Sequence, residues 1–368
     1  MKKSIALIIT LLLVLSACDI ETPPESNPTP SPTAAATTPA LSTPETTVQP
    51  TEEPLGLSDY FPFTEDTHMV YAGSGNEFAE FTTSVDFLTT DAMQVRTVNS
   101  GTVSVSVYVL ENGTLTRVYS EGESYYRLDY TAVRDTDDIV LKEPLAVGTA
   151  WTLEDGSTRS ITAVGVPVTV PYGSFEALEV TTEYADSTIK EYYAPGIGLV
   201  KREFVSKADL SSPITSELES MVTGAPEDVT MRFYFPDFNN DRIVYVDRDI
   251  PFHTGDTLQE ALEAELKEIP QGSSLIPVLS ADASILSLNY DAATGIITVD
   301  LSEEFITGMN AGSALEGMIL DSLADTLGNY FMISQVGITI EGESYSSGAI
   351  VIEKGEYWTA DWQDAEAY

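Results

Sequence analysis

From Thr102 to Leu110 the chain reads Thr-Val-Ser-Val-Ser-Val-Tyr-Val-Leu, in which polar and apolar residues alternate as far as Val107. Only an extended strand sorts such a run onto two faces, because its side chains alternate with period two. Asn112-Gly113 follows, and the apolar pattern resumes from Leu115 to Tyr119. Asn-Gly accepts the positive φ angles of a tight type I′ turn, so the stretch specifies a β-hairpin. Asp155-Gly156 separates Ala150–Leu153 from Arg159–Val164 in the same way. Pro171-Tyr172-Gly173-Ser174 lies between Val166–Val170 and Ala177–Thr182, and the turn within Tyr192–Gly198 leads into a strand ending at Phe204. No long helical period occurs between Tyr60 and Phe204. The pattern predicts an antiparallel β domain over residues 58–222, as an open curved sheet or a barrel. Asp209, Ser211, Ser212 and Pro213, then Gly224, Ala225 and Pro226, mark a composition break, and the boundary is placed near 222–227.

Beyond that break, strands alternate with helices. Val229–Phe235 and Arg242–Val246 have strand character, with a turn over Pro236–Asp241. Leu258, Ala261, Leu262, Leu266 and Ile269 share one helical face, with Asp256 as N-cap, Gln259 at N3 and Pro270-Gln271-Gly272 as the stop. Ser284–Tyr290 and Ile296–Leu301 read as a hairpin over Thr294-Gly295. Ser313-Ala314-Leu315-Glu316 has the form of a capping box and opens a second helix, whose stripe is Leu315, Ile319, Leu323 and Leu327. Ser334–Ile340 and Ala349–Ile352 are closing strands. The fold class expected is therefore α+β: an N-terminal all-β antiparallel domain, then a small α/β domain over 226–353 with two helices packed on a sheet.

The chain has 368 residues, one Cys and two His, with 58 acidic against 17 basic residues and a formal net charge of −41. One Cys forms no internal disulfide, and one Cys with two His does not make a four-ligand Cys/His zinc cage. Phosphate contacts need clustered Lys and Arg, so this balance argues against nucleic acid as a partner.

The single Cys sits at position 18, after Lys2-Lys3 and the apolar run Ile5–Leu15, in the sequence Leu15-Ser16-Ala17-Cys18. The run is short for a bilayer span. This segment resembles the lipobox of bacterial lipoproteins. The resemblance implies removal of residues 1–17 as a signal peptide and a diacylglyceryl thioether on Cys18, with a further acyl chain on its amine. At about 0.8 kcal/mol per buried CH₂, two or more chains anchor stably where one does not. Residues 18–57 hold nine of the chain's 20 Pro among many Thr and Ser, and no basic residue lies between Lys3 and Arg96. Such a segment buries too little apolar surface to offset chain entropy, so it is expected to be a disordered, extended linker.

Phe233-Tyr-Phe-Pro-Asp237, Ile296-Ile-Thr-Val-Asp-Leu-Ser302 with Glu304-Phe305, and Val336-Gly-Ile-Thr-Ile-Glu-Gly342 occur in that order. Together they resemble the GerMN domain of sporulation and spore-germination proteins, over roughly 226–353. The resemblance implies a small α/β domain in an exported, often lipidated, bacterial protein, some members of which act in sporulation and germination. Pro171–Val180 and Tyr192–Lys201 resemble segments of small antiparallel β domains in envelope lipoproteins.

The sequence holds no coherent catalytic constellation. Ser187-Thr188-Ile189-Lys190 fits S-x-x-K, but without the companion motifs of serine acyl enzymes. His68 and His253 have no evident partner. Asp237, Asn239 and Asp241 match the first three ligand positions of an EF-hand loop, but Arg242 and Arg248 stand where Gly and Glu belong. These three residues are a candidate Ca²⁺ set at most, and an Asx-rich turn is the plainer reading. No other metal ligands and no cofactor are expected. The acidic and aromatic tail 354–368, with Tyr357, Trp358, Trp362 and Tyr368, either docks on a partner or glycan or packs back on its own domain; the second is preferred.

The reading of the sequence is thus a non-catalytic lipoprotein at the extracytoplasmic face of the bacterial cell membrane. It acts as scaffold or interaction module, with the membrane and an envelope protein as partners. The alternative is an extracytoplasmic sensory module for a ligand, wall glycan or Ca²⁺.

Overall fold

A computed structural model describes residues 54–368. The signal peptide, Cys18 and most of the expected linker lie outside the described residues. The chain folds from Leu57, which is buried in one core cluster and opens a single helical turn, α1 (Leu57–Tyr60). The folded part therefore begins inside the stretch read as linker.

Twelve strands follow: β1 (Thr67–Ser74), β2 (Phe81–Leu88), β3 (Ala92–Asn99), β4 (Val103–Glu111), β5 (Thr114–Gly122), β6 (Asp138–Lys142), β7 (Ala150–Thr152), β8 (Thr158–Val170), β9 (Gly173–Glu183), β10 (Ser187–Ala194), β11 (Gly198–Ser206) and β12 (Asp209–Thr223). They form one antiparallel sheet in the order β6-β5-β4-β3-β2-β1-β12-β11-β10-β9-β8-β7. The Asn112-Gly113 hairpin is present, with both residues at positive φ. Asp209 to Pro213, read from sequence as a composition break, instead lie within β12, which pairs with both β1 and β11. Exposed side chains there conceal the start of a strand that pairs with β11 at Asp209 and Ile214 and with β1 from Thr215 onward.

The order is nearly circular, since its two ends, β6 and β7, are consecutive in the chain. Among the described residues no backbone ladder joins them, and side chains close the seam instead. Trp151 Nε1 donates to the Ile139 carbonyl at 2.9 Å. Arg159 Nη1 donates to the same carbonyl at 2.7 Å and to Asp138 Oδ1 at 3.0 Å. Arg117 holds the other Asp138 oxygen at 2.7 Å. The expectation left open between curved sheet and barrel resolves into a curled sheet stitched by side chains.

The rest of the described chain contains β13 (Glu227–Asp237), β14 (Arg242–Phe252), α2 (Leu258–Lys267), β15 (Ile285–Asp291), β16 (Ile296–Leu301), α3 (Glu304–Thr307), α4 (Ser313–Phe331), β17 (Gln335–Ile340), β18 (Glu343–Ser344), β19 (Trp358–Thr359) and β20 (Glu366–Ala367). These strands form two sheets rather than one. β13-β14-β20 is the first, and β15-β16-β17-β18, with β19 also on β17, is the second. β16 and β17 are parallel, as their long helical crossover requires. Leu258, Leu262 and Leu266 of α2 and Ile319, Leu323 and Leu327 of α4 enter one core with both sheets.

Three local expectations shift. The N-cap of α2 is Thr257, bonded reciprocally with Glu260, one residue beyond the expected Asp256 and Gln259 pair. Gly312 precedes α4, and no Ser313–Glu316 capping box forms. Glu316 is drawn inward, where it accepts from Tyr345 Oη at 2.9 Å and from Ser347. A buried carboxylate needs donors more than a solvated helix start needs a cap. Ala349–Ile352 makes a single bridge, Ser346 to Val351, rather than a strand.

The break between Thr223 and Glu227 is spanned by a dense polar junction. Asp86, on β2, is fully buried and bridges two arginines: Arg96 Nη2 at 2.8 Å and Arg127 Nη1 at 3.1 Å. Arg127 reaches across, donating to the Asp256 carbonyl from Nε and to the His253 carbonyl from Nη2, each at 2.9 Å. Its guanidinium lies against the rings of Phe87 and Phe252. Tyr126 Oη donates to the Phe331 carbonyl at 2.7 Å and packs among Tyr290, Tyr330 and Phe331. Asp66 and Thr254 exchange bonds at 2.7 Å in both directions. All described residues accordingly belong to one compact unit, Glu53–Tyr368.

Breaking a buried pair while leaving its partner charged typically costs about 3–5 kcal/mol. Arg127→Met is expected to lower unfolding stability by that order, with Asp86 left short of one cation. Urea unfolding of the variant beside the parent checks it.

Candidate functional site

The curled sheet surrounds a cavity of about 900 Å³. Alternate residues of its strands line it, as period two demands: Met69 and Tyr71 of β1, Thr83 and Val85 of β2, Val95 and Thr97 of β3. On β4 the assignment of faces is the reverse of a simple core. Ser104, Ser106 and Tyr108 face the cavity, while Val105, Val107 and Val109 are buried on the opposite face. Val107 and Val109 pack with Tyr119 and Tyr130, whose rings stack at 4.8 Å. The alternating run therefore has two buried faces, one of them a lined chamber.

A charged cluster sits in this wall. Arg117 and Arg159 share Asp138, and Arg159 Nε donates to Thr182 Oγ1 at 2.9 Å. Burial works against the Arg159 charge, but Glu191 and Asp138 outweigh it and hold its pKa above the usual value. Arg202 is 3.9 Å from Glu191, beyond hydrogen-bond distance. Tyr193 Oη donates to the other Glu191 oxygen at 3.3 Å. Burial, with Glu191 beside it, pushes Tyr193 well above the ordinary tyrosine range, and burial also raises Tyr108. Both phenols stay neutral donors. Arg117 Nε is buried and has no partner among the described residues. Sequence reasoning missed this cluster, because its members come from β4, β5, β6, β8, β10 and β11 and share no spacing. The remaining signal was their rarity, as only fifteen basic residues follow Lys3.

Residues 232–346 match the family model Germane, described as sporulation and spore germination. Residues 232–346 are a Germane domain. No curated protein matches the chain. Among solved structures, the first GerMN domain of the sporulation protein GerM from Bacillus subtilis is 23% identical, covering 36% of this chain and 97% of that one, with a TM-score of 0.27. A protein of YmcC-like fold from Bacteroides fragilis is 14% identical, covering 44% of this chain and 98% of that one, with a TM-score of 0.29. A candidate lipoprotein from Parabacteroides distasonis is 18% identical over the same shares, with the same TM-score.

The residues singled out from sequence fall as follows. Cys18 lies outside the described residues. Asp237 ends β13 and is buried; its carboxylate accepts from Asn240 Nδ2 and from Arg242 Nε at 3.1 Å. Asn239 lies in the following 3-10 turn, and Asp241 closes that turn in the left-handed region. The Asp237 side chain thus already holds a cation, the Arg242 guanidinium. Among the described residues no group of three or more His, Cys, Asp and Glu is arranged to hold a metal ion. Ser187 and Lys190 lie three apart on β10, so they point to opposite faces, and Lys190 pairs with Glu179 at 3.4 Å. His253 meets Asp66 at the junction, and that contact raises its pKa. No described helix is long and apolar enough to cross a membrane.

The tail packs back onto the Germane domain. Its β19 pairs with β17 and its β20 with β14. Trp358 Nε1 donates to Asp321 at 2.8 Å, and the Asp361 N–H donates to Asp325 at 2.6 Å. Gly328 of α4 makes room for this strap, since a Cβ there would lie 2.5 Å from the Ala360 Cβ and 2.8 Å from the Trp362 ring. Burial pushes the Asp325 carboxyl up to about 6, with Asp321 and Asp361 adding to the rise.

Asp325 therefore keeps its proton in the folded chain to higher pH than in the unfolded chain, where Asp titrates near 3.9. The folded state binds more protons between about pH 4 and pH 6, so this group's contribution to stability falls as pH rises through that window. Asp325→Asn keeps an acceptor for the Asp361 N–H. It is expected to raise stability above pH 6 by on the order of 1–3 kcal/mol. The gain over the parent should vanish toward pH 4, as read from denaturant unfolding of both proteins across pH 4–8.

Proposed function

We propose that the chain is a non-catalytic bacterial envelope lipoprotein, anchored through Cys18 at the extracytoplasmic face of the cell membrane. It presents its Germane domain to an envelope protein in a sporulation-related assembly. The observation that carries the reading is the Germane domain at 232–346, held on the β-sheet by the Asp86–Arg127 junction. A domain fixed in this way offers its remaining faces in one orientation, which lowers the entropy lost when a partner docks. The lipobox and the Pro/Thr linker support the placement. The linker gives reach, and the junction gives direction.

The cavity inside the curled sheet favours a second reading, a ligand-binding module beside the interaction domain. Its volume lies within the range of small-molecule sites, about 300–1,000 Å³.

Crosslinking in intact cells, in growth and in sporulation, followed by mass spectrometry tests the first reading. It is expected to recover a defined envelope protein, with the crosslinks on this chain falling within residues 232–346. Crosslinks confined to residues outside 232–346 contradict the reading. In the same cells Cys18→Ser is expected to move the protein from the membrane fraction to the soluble fraction. A variant that stays with the membrane contradicts lipid anchoring.

A further inference from the structure

We propose that the cavity binds an amphipathic anion: one carboxylate or phosphate group at Arg117 and Arg202, on an apolar body against Met69, Tyr71, Phe81, Val95, Ile189 and Phe204. The proposal rests on the reading of the curled sheet as a ligand-binding module and adds the class of ligand.

The unanswered guanidinium donors at the cavity argue for an anionic headgroup. Asp138 is shared by two guanidinium groups, at 2.7 Å and 3.0 Å. Glu191 faces Arg202 across 3.9 Å and accepts from the neutral Tyr193 phenol. Three arginines thus lie among Asp138 and Glu191 in the wall, with Asp137, Glu154 and Asp155 at its border. Donors also remain. Arg117 Nε is buried without a partner, and Arg202 is too far from Glu191 to bond it. A guanidinium presents a planar fork of donors suited to carboxylate or phosphate. Asp137, Glu154 and Asp155 also border the cavity, but all three are exposed. Asp155 accepts from its own neighbour Ser157, at 2.6 Å from the hydroxyl.

The remaining lining calls for an apolar body. Tyr71 and Phe81 stack with ring centroids 4.3 Å apart, and their rings border the same space as Ile189 of β10 and Phe204 of β11. A small inorganic anion would leave these walls wetted. A neutral amphiphile would answer the buried Arg117 Nε with a single uncharged acceptor, where a carboxylate or phosphate offers two charged ones to the planar fork.

The test is calorimetric titration of the full chain with dodecyl phosphate and with laurate, both below their micelle concentrations. Dodecyl maltoside and inorganic phosphate serve as comparisons. Saturable binding of one dodecyl phosphate or one laurate per chain is expected, and which of the two binds tighter identifies the headgroup. Inorganic phosphate should bind at least about tenfold more weakly, for lack of the apolar contacts. Arg202→Gln should weaken the anionic amphiphile about tenfold or more, as loss of a charged hydrogen bond does, with an unchanged thermal unfolding midpoint. Arg117→Gln should act in the same direction, and Arg202→Gln alone decides the matter if that second variant fails to fold. Dodecyl maltoside binding as tightly as the anions, or an Arg202→Gln affinity equal to the parent's, overturns the assignment of an anion while leaving a ligand cavity. Failure of every amphiphile to bind overturns both the proposal and the ligand-module reading.

Discussion

Asp86 is a carboxylate with no access to water, and the arrangement of the described chain depends on what neutralises it. Desolvation of such a group is repaid only when good partners surround it. Arg96 supplies one from within the sheet, and Arg127 supplies the other from the segment that also reaches the turn between β14 and α2 and the end of α4. Burial works against the Arg127 charge and lowers its pKa, and Asp86 is the group that opposes that effect. Each ion is costly without the other. The backbone carbonyls of His253 and Asp256 accept the remaining Arg127 donors, so the two halves of the described chain are locked where the charge is satisfied.

The same logic explains the seam. A curled sheet that stops short of closing leaves two strand edges, which in an exposed sheet would invite pairing with other chains. Here the edges meet through Trp151, Arg159 and Asp138, so closure uses side chains rather than a ladder. That choice places arginines in the wall of a chamber instead of filling it with aliphatic side chains. The outer face of β4 then takes the role of a core, covered by Tyr119 and Tyr130. Cavity and core are two faces of one strand.

Much of the architecture was legible in the sequence because it is local. The Asn112-Gly113 hairpin, the Leu258–Lys267 helix and the Ile296–Leu301 strand each follow from periodicity and turn chemistry within a short window. The Germane domain was legible from three ordered segments, and the family match covers residues 232–346. What escaped depends on distant partners. Asp209–Pro213 resembles a loop until β11 pairs on either side of it, at Asp209 and Ile214, and makes it the start of β12. Ser313 and Glu316 have capping spacing, yet Tyr345 and Ser347, about thirty residues on, draw the acid inward. The cavity cluster joins six strands, and the Asp86–Arg127 pair spans 41 positions. No window of sequence displays such pairs, because they exist only once strand order is set.

The central claim is that the curled sheet and the Germane domain act as one body through the Asp86–Arg127 junction. Scanning calorimetry of the full chain tests this most directly. The account predicts a single transition whose calorimetric and van't Hoff enthalpies agree, as one cooperative unit requires. Two resolved transitions, or a calorimetric enthalpy well above the van't Hoff value, would contradict it.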